Sequence, residues 1–429
     1  MKIGIFTDRY LPQTDGISFS TETFRQELEK LGHEVYVFAP SPSWRYKDAS
    51  SRIIRFPAIK GLFFADWLTG VYFPPQALKK IEHLKLDIIH CQSPSSIGLL
   101  GFYYGLHNHI PLATTYHTDL YEYRKHYPQI LPGIMLLALM APVITGGNTE
   151  SYRLAMESVK PEKTVDKWNK KILVQGFTLF HNSCNLVIAP SKKMKTQLLK
   201  WKTKSRVEIL PTGVDEITTT KAEIDSIRDK YNLNYSDKIV LLVCRIGTEK
   251  NIELLIEAFN TVGKTVPTAK LVIVGPGDDL SHYQKQAKAS KYPNRIVFTG
   301  FVERRKLGAY YQLANVFAFP SLTDTQGMTV NEAACSGVPL VLVDREISEV
   351  LVDGENGFFA NSKPKDFAAK IIKILSDDSL QKRMSKRSMQ LGSEVSASKQ
   401  AAKLLRLYQE TIERYREPNS QKQPSSAQR

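Results

Sequence analysis

The stretch Pro320–Pro339, PSLTDTQGMTVNEAACSGVP, decides how this chain is read. It follows an apolar run, LANVFAF (313–319), that has the length of a buried strand. It then carries Asp324, Gly327 and Glu332, and a small-residue segment that ends Gly337-Val338-Pro339. A strand that hands over to a helix through a glycine is the basic joint of a parallel α/β sheet. In open sheets of that kind, ligands bind beyond the carboxyl ends of the strands. A helix beginning near Gly327 or Met328 leaves the first amide N–H groups, Met328 and Thr329 among them, without intrahelical partners. With the helix dipole they favour an anion, and Gly327 has no Cβ to obstruct it. Glu332 falls about one turn into that helix, where its carboxylate can accept from the paired hydroxyls of a sugar. Asp324, on the preceding loop, can do the same for a second sugar. The pattern suits a nucleotide-sugar, with a diphosphate at the helix end and one carboxylate for each of two sugars. Taken singly, Asp324 also reads as a turn cap and Glu332 as a solvated helix residue.

Outward from this stretch, short apolar runs alternate with amphipathic segments. KIVLLVCRI (238–246), IELLIEAFNTV (252–262), AKLVIVG (269–275), RIVFTG (295–300) and PLVLV (339–343) form one βα series. KIGIFT (2–7), FSTETFRQELEKLG (19–32), HEVYVFAP (33–40), DIIHC (87–91), PLATTYH (111–117) and NLVIAPS (185–191) form an earlier one. The fold class is therefore α/β, with two consecutive doubly wound, Rossmann-like domains. The 429 residues exceed what one core usually holds, which agrees. ILPTGVDE (209–216) breaks the pattern, so residues 1–208 are expected to form the first domain and 209–395 the second. A helix over 396–416, with Leu404, Leu405, Tyr408 and Ile412 at helical spacing, is expected to cross back to the first domain, and 417–429 to be a disordered tail.

Composition narrows the class. Net charge is +15, with 27 basic and 17 acidic residues in 1–210 and 31 and 26 in 211–429. Such an excess favours an anionic ligand or membrane, and no nucleic-acid motif is present. Cys91, Cys184, Cys244 and Cys335 form no CxxC pair, so neither a zinc site nor a disulfide framework is indicated, and a reducing cytoplasm fits. The N-terminus lacks the apolar core of a signal peptide. ILPGIMLLALMAPVI (130–144) is too short and too broken by proline to span a bilayer, and reads as a buried or interfacial helix.

Arg245 ends an apolar strand and Lys250 follows it, before a helix. Two cations at a strand end can neutralise a leaving diphosphate without a metal. No D-x-D triplet stands ready to hold a divalent ion, so no cofactor and no metal are expected. Cations in such places also serve as surface salt bridges.

Together these motifs resemble, over nearly the full length, the retaining glycosyltransferases of the GT-B fold, specifically glycosyltransferase family 4. That family carries two acids separated by seven residues, the second opening an E-A-x-A/C-x-G-x-P run. Here this reads Asp324 and Glu332-Ala333-Ala334-Cys335-Ser336-Gly337-Val338-Pro339, with Asp where Glu is usual. CRIGTEKN (244–251) resembles the family's G-R-x-x-x-E-K-G, with Cys244 and Asn251 at the glycine positions. LPTGVD (210–215) resembles the interdomain I-P-N-G-V-D, and FTGFV (298–302) a segment whose backbone near Val302 packs on the nucleotide base.

The resemblance implies two domains facing a central cleft. It implies that Arg245 and Lys250 grip the donor diphosphate, and that the loop at Asp15-Gly16 faces it from the first domain. It also places the histidine of TTYHTDLYEY (114–123), His117, beside the donor sugar; a lone histidine is often structural instead. No protein nucleophile or general base is implied.

TDTQGMTVNEA resembles the variant in diacylglycerol glucosyltransferases, which implies a membrane-lipid acceptor. Lys192 to Arg206 holds seven basic residues and no acid, and Met194, Leu198 and Trp201 share one helical face. Such a helix can lie on an anionic membrane through Lys192, Lys193, Lys195, Lys200 and Trp201, or pack on the sheet with a solvated basic face. Phe63, Phe64 and Trp67, in IKGLFFADWLTGVYFPP (59–75), are further candidates for membrane contact. The expectation is a hexosyltransferase, peripheral on the cytoplasmic face of the cell membrane, acting on diacylglycerol. A saccharide, lipid-linked oligosaccharide or phosphoinositide acceptor, a nucleotide-sugar epimerase and a non-catalytic binding module are the alternatives.

Overall fold

The computed structural model describes residues 1–61, 68–71, 74–117 and 162–420, with Arg153, Met156, Glu157 and Lys160. The chain divides into two compact units, Met1–Gly213 with Ala397–Arg429, and Val214–Ser396.

In chain order, the first unit begins β1 (Lys2–Phe6), α1 (Gly16–Lys30), β2 (Glu34–Pro40), β3 (Ile53–Phe56), β4 (Ala58–Lys60), β5 (Leu68–Gly70) and α2 (Pro74–Glu82). It continues β6 (Ile88–Cys91), α3 (Ser96–His107), β7 (Leu112–Thr115), α4 (Val165–Asn182), β8 (Leu186–Ala189), α5 (Lys192–Lys200) and β9 (Arg206–Ile209). Seven strands form a parallel sheet in the order β3-β2-β1-β6-β7-β8-β9. Its strands are covered on both faces, which is why they read as continuous apolar runs rather than alternating ones. Because successive side chains point to opposite faces, Phe6, Phe38, Ile89, Cys91 and Val187 share one core with residues of α3 and α5. Ile3, Ile5, Val37, Ile88 and Ala113 share the other with α1 and the last helix of the chain.

The second unit contains α6 (Lys221–Tyr231), β10 (Lys238–Val243), α7 (Ile252–Thr265), β11 (Ala269–Val274), α8 (Leu280–Lys288), β12 (Ile296–Phe298) and α9 (Leu307–Leu313). It continues β13 (Val316–Phe319), α10 (Met328–Cys335), β14 (Leu340–Leu342), β15 (Gly357–Phe359), α11 (Pro364–Leu375) and α12 (Asp378–Ser393). Its six strands are parallel, in the order β12-β11-β10-β13-β14-β15. The glycine turn after β11 serves packing. Gly275 has φ +139°, and a Cβ there would stand 1.9 Å from the carbonyl oxygen of Cys244, so the turn lies flat against the end of β10.

The last helix, α13 (Ala397–Ser420), belongs to the first unit. Leu404, Tyr408 and Ile412 are buried against β1, β2 and β6, whereas Leu405 is only partly covered and Leu407 takes its place in the core. The boundary expected after residue 208 lies between Gly213 and Val214, because β9 completes the first sheet and Leu210 sits in the first unit's core. Of the expected tail 417–429, residues 417–420 continue α13 and the rest lie outside the described residues, as does the apolar stretch 130–144. Phe63, Phe64 and Trp67, between the antiparallel pair β4 and β5, lie outside them too. Among the described residues, no helix is long and apolar enough to cross a membrane.

Candidate active site

In the second unit β10 and β13 are neighbours, so the two motif-bearing turns emerge side by side at the carboxyl edge of the sheet. Asn251 carries the backbone left-handed at φ 54°, which explains a position otherwise suited to glycine. Its side-chain amide donates to the carbonyl of Pro320 at 3.1 Å, and the Thr323 hydroxyl donates to the carbonyl of Glu249 at 2.9 Å. These two bonds tie the turns together. Lys250 then meets Asp324, Nζ to Oδ1 at 2.5 Å, with side chains 15% and 17% exposed. Burial alone would depress the lysine, but the facing carboxylate of Asp324 outweighs it and holds the ammonium above its ordinary range. Arg245 is paired with Glu249 on the same turn. Cys244, at the strand end, is pushed up to about 12 by burial and stays an uncharged thiol.

After β13, Gly327 caps α10 without a side-chain bond, and Met328 and Thr329 open the helix. The small segment beyond it is a helix stop. Gly337 has φ +73°, and the N–H groups of Gly337 and Val338 return to the carbonyls of Ala334 and Ala333, both at 2.9 Å. Glu332 lies one turn into α10 and is 2% exposed. Its Oε1 accepts from Arg304 Nε at 3.0 Å and Nη2 at 2.6 Å, and its Oε2 from the Tyr311 hydroxyl at 2.8 Å. Burial, then Glu332, pushes the Tyr311 phenol well up, so it remains a donor. Val302 packs partly against the same core, just before the turn that carries Arg304.

In the first unit Asp15 caps α1, accepting from the N–H of Ser18 at 2.9 Å, and holds Arg9 Nε at 2.5 Å; Gly16 opens the helix. His117 follows β7, and its Nε2 lies 2.5 Å from Gln92 Oε1, on the loop after β6. Burial lowers His117 to about 4 against the opposing pull of Asp15, so the ring is neutral at physiological pH. Asp8, at the end of β1, accepts from the N–H groups of Ile97 at 2.9 Å and Gly98 at 3.2 Å and from the Ser93 hydroxyl at 2.9 Å. It sits at the N-terminus of α3, where burial pushes its carboxyl above the ordinary range against the pull of these hydrogen bonds.

Arg245, Lys250, Asp324, Gly327 and Glu332 are thus gathered in one unit, and Gly16 and His117 in the other. Gln92, Asp8, Glu249, Arg304 and Tyr311 were not singled out from sequence. Glu249 stood inside the quoted R-x-x-x-E-K segment; the others carry no local signal. Among the described residues, no group of three or more His, Cys, Asp or Glu is placed to hold a metal ion.

The membrane face expected on α5 requires a correction. Met194 and Leu198 are fully buried, and Trp201 packs on the same core, edge-on to Tyr116 with ring centroids 5.7 Å apart. The apolar stripe that would have entered a bilayer is spent on the first sheet, so Trp201 is a packing residue. Lys192, Lys200 and Leu199 remain exposed on the outer side, and Lys193 and Lys195 are partly so.

Comparison with known proteins agrees with the two-sheet fold. The Glycosyltransferase Family 4 family matches residues 14–216, and the Glycosyl transferases group 1 family matches residues 223–390. An alpha-monoglucosyldiacylglycerol synthase of Acholeplasma laidlawii is 30% identical over 377 residues, 84% of this chain and 85% of that protein. An alpha-monoglucosyldiacylglycerol synthase of Streptococcus pneumoniae is 32% identical over 348 residues, 80% of this chain and 70% of that one. Among solved structures, sucrose-phosphate synthase from Thermosynechococcus elongatus shares the fold with a TM-score of 0.69 at 17% identity, covering 96% of this chain and all of that one. With both family matches in chain order and relatives this similar across most of its length, the chain belongs to glycosyltransferase family 4 and is a glycosyltransferase of the GT-B fold.

Proposed function

We propose that the protein transfers glucose from a nucleoside-diphosphate glucose to the free hydroxyl of 1,2-diacylglycerol in a membrane, with retention of the α configuration. The observation that carries this reading is the 30–32% identity, over 80–84% of the chain, with two alpha-monoglucosyldiacylglycerol synthases. In this reading the Arg245 and Lys250 side chains take the leaving diphosphate with the N-terminal N–H groups of α10. Their fixed charge replaces a divalent ion. Glu332 takes the hydroxyls of the nucleoside, Asp324 is the second unit's residue for the donor sugar, and His117 is the first unit's residue for a sugar hydroxyl. The acceptor hydroxyl attacks from the face the diphosphate leaves, and the departing diphosphate oxygen helps to take its proton. The protein sits peripherally on the membrane, held by the cationic outer side of α5.

The test is direct. The purified chain is incubated with labelled UDP-glucose, UDP-galactose or GDP-mannose and vesicles containing diacylglycerol, and products are read by mass and by the anomeric proton coupling. A monoglucosyl lipid with an α linkage is expected. Product only on a phosphoinositide or a soluble sugar would overturn the acceptor. Conversion of donor to its epimer without any acceptor would overturn the reaction class.

A further inference from the structure

We propose that Gln92 is a positioning residue that fixes His117 as the Nε2-protonated tautomer, so that Nδ1 serves as a hydrogen-bond acceptor for a sugar hydroxyl. The inference rests on the reading of His117 as a residue beside the donor sugar, and extends it to which nitrogen acts and what sets it.

The geometry starts from register. β6 and β7 run parallel, with Cys91 opposite Thr114. His90 and Gln92 project to one face of β6, and Thr115 and His117 to the same face of β7. Two polar rungs result. His90 Nε2 meets Thr115 Oγ1 at 2.8 Å, and one layer nearer the carboxyl edge Gln92 Oε1 meets His117 Nε2 at 2.5 Å. The first rung is anchored from below, since His90 Nδ1 lies 2.5 Å from the Tyr408 hydroxyl of α13. The second is held by the backbone, because the Gln92 N–H donates to the carbonyl of Phe6 at 2.8 Å. Gln92 is 4% exposed, so water does not compete for its amide.

An amide oxygen only accepts. The ring nitrogen facing it therefore carries the proton, and a neutral imidazole then has its lone pair on the other nitrogen. The ring stays neutral because burial holds it at about 4. Among the described residues, two titratable groups face it, of which one is charged. Asp15, from the start of α1, favours the imidazolium and is itself paired with Arg9, while His90 is buried and neutral, held at about 3. A carboxylate in place of Gln92 would stabilise the imidazolium; the amide does not. A neutral acceptor at Nδ1 orients a hydroxyl without adding positive charge beside an oxocarbenium-like sugar.

The experiment uses the full chain with nitrogen-15-labelled histidine, the His117 signals being assigned by their loss in His117→Gln. In the wild type we expect the Nε2-H pattern, unchanged between pH 6 and 9. Gln92→Glu should move the His117 titration toward neutrality and give kcat an acid limb that the wild type lacks. Gln92→Met, which fills the space without an acceptor, should mix the tautomers and lower kcat by roughly 10–100-fold, with a smaller change in donor KM. An Nδ1-H signal in the wild type overturns the proposal even where Gln92→Met fails to fold. So does a Gln92→Glu pH profile that superimposes on the wild type while His117→Gln remains inactive. Full activity in His117→Gln would instead sink the placement of His117 beside the sugar, and the nitrogen signals would still decide what Gln92 does.

Discussion

Lys250 and Asp324 form a 2.5 Å ion pair that joins the turn after β10 to the loop after β13. The Lys250 ammonium is therefore not an isolated charge. It is held by an acid 74 residues away in the chain, and each partner depends on the other for its place. Asp for Glu at position 324 shortens the acid by one methylene, and Lys250 reaches it directly.

Breaking one side of this pair should cost stability as well as activity. Lys250→Met leaves a largely buried carboxylate opposite an apolar chain. It should lower unfolding free energy by about 2–3 kcal/mol, less than a fully buried pair would lose. Lys250→Met with Asp324→Leu should recover much of that loss in urea denaturation, while transfer stays abolished. The folded-state pKa of Lys250 is raised, so its stabilising contribution is present below the unfolded value of 10.5 and is lost only as pH rises through the higher folded value. From this lysine, then, the urea midpoint should show no slope between pH 6 and 9. A double variant no more stable than Lys250→Met would show that the two side chains are not coupled.

Glu332→Gln should weaken nucleoside-diphosphate binding by roughly 10–100-fold, since a charge-assisted hydrogen bond is worth about 1.5–3 kcal/mol. The same change sets an amide N–H₂ against the donors of Arg304 and Tyr311, so some stability should be lost with the affinity. Tyr311→Phe removes one charge-assisted bond to the same buried carboxylate and should cost about 1.5–3 kcal/mol of stability, with a smaller share of binding. Calorimetry with UDP and GDP checks both, and unchanged affinity in Glu332→Gln would place the nucleoside elsewhere.

Chelation should leave transfer intact. If Arg245, Lys250 and the start of α10 carry the charge of the leaving diphosphate, activity in EDTA should match activity in magnesium. Removing Lys250 by substitution with alanine should cost at least ~2 kcal/mol at the transition state. Loss of turnover in EDTA with recovery on adding manganese would refute the assignment.

Membrane attachment through α5 should be electrostatic. Each basic residue near an anionic surface contributes about 1 kcal/mol, and salt screens it over ~8 Å at physiological strength. Replacing Lys192, Lys193, Lys195 and Lys200 with Gln should therefore reduce sedimentation with anionic vesicles and lipid glucosylation together, leaving UDP affinity unchanged. Trp201→Ala should instead lower the urea midpoint and leave vesicle binding nearly as it was, because Met194, Leu198 and Trp201 face the sheet. Vesicle binding that survives the four lysine changes would move the attachment to another surface.

Much of both sheets was legible because buried parallel strands are continuous apolar runs, and the helix starting at Met328 was legible from its glycine and its position after a strand. The strands β3, β9 and β15 were not picked out. IIRF, RVEI and GFF are short, two of them carry charge, and all three lie at sheet edges where one side needs no cover. At the site, the sequence named Lys250, Asp324 and Glu332 one by one but could not pair them. Which acid meets which cation depends on β10 lying beside β13, and nothing local records that order. Arg304 and Tyr311 reach Glu332 from 28 and 21 residues away for the same reason. On α5 the helical period told which side was apolar, not what covered it.

The return of α13 to the first unit has a consequence for how the protein is made. A ribosome delivers β1 to β9 first, then the whole of the second unit, and only afterwards Leu404, Tyr408 and Ile412. Until those residues emerge, the sheet face formed by Ile3, Ile5, Val37 and Ile88 lacks the cover that α13 gives it. The second unit is contiguous and can condense as soon as it is complete, whereas the nascent first unit must wait with an uncovered apolar face, the condition in which unfinished chains aggregate or recruit chaperones. The part of the enzyme that is translated first is the part that finishes folding last.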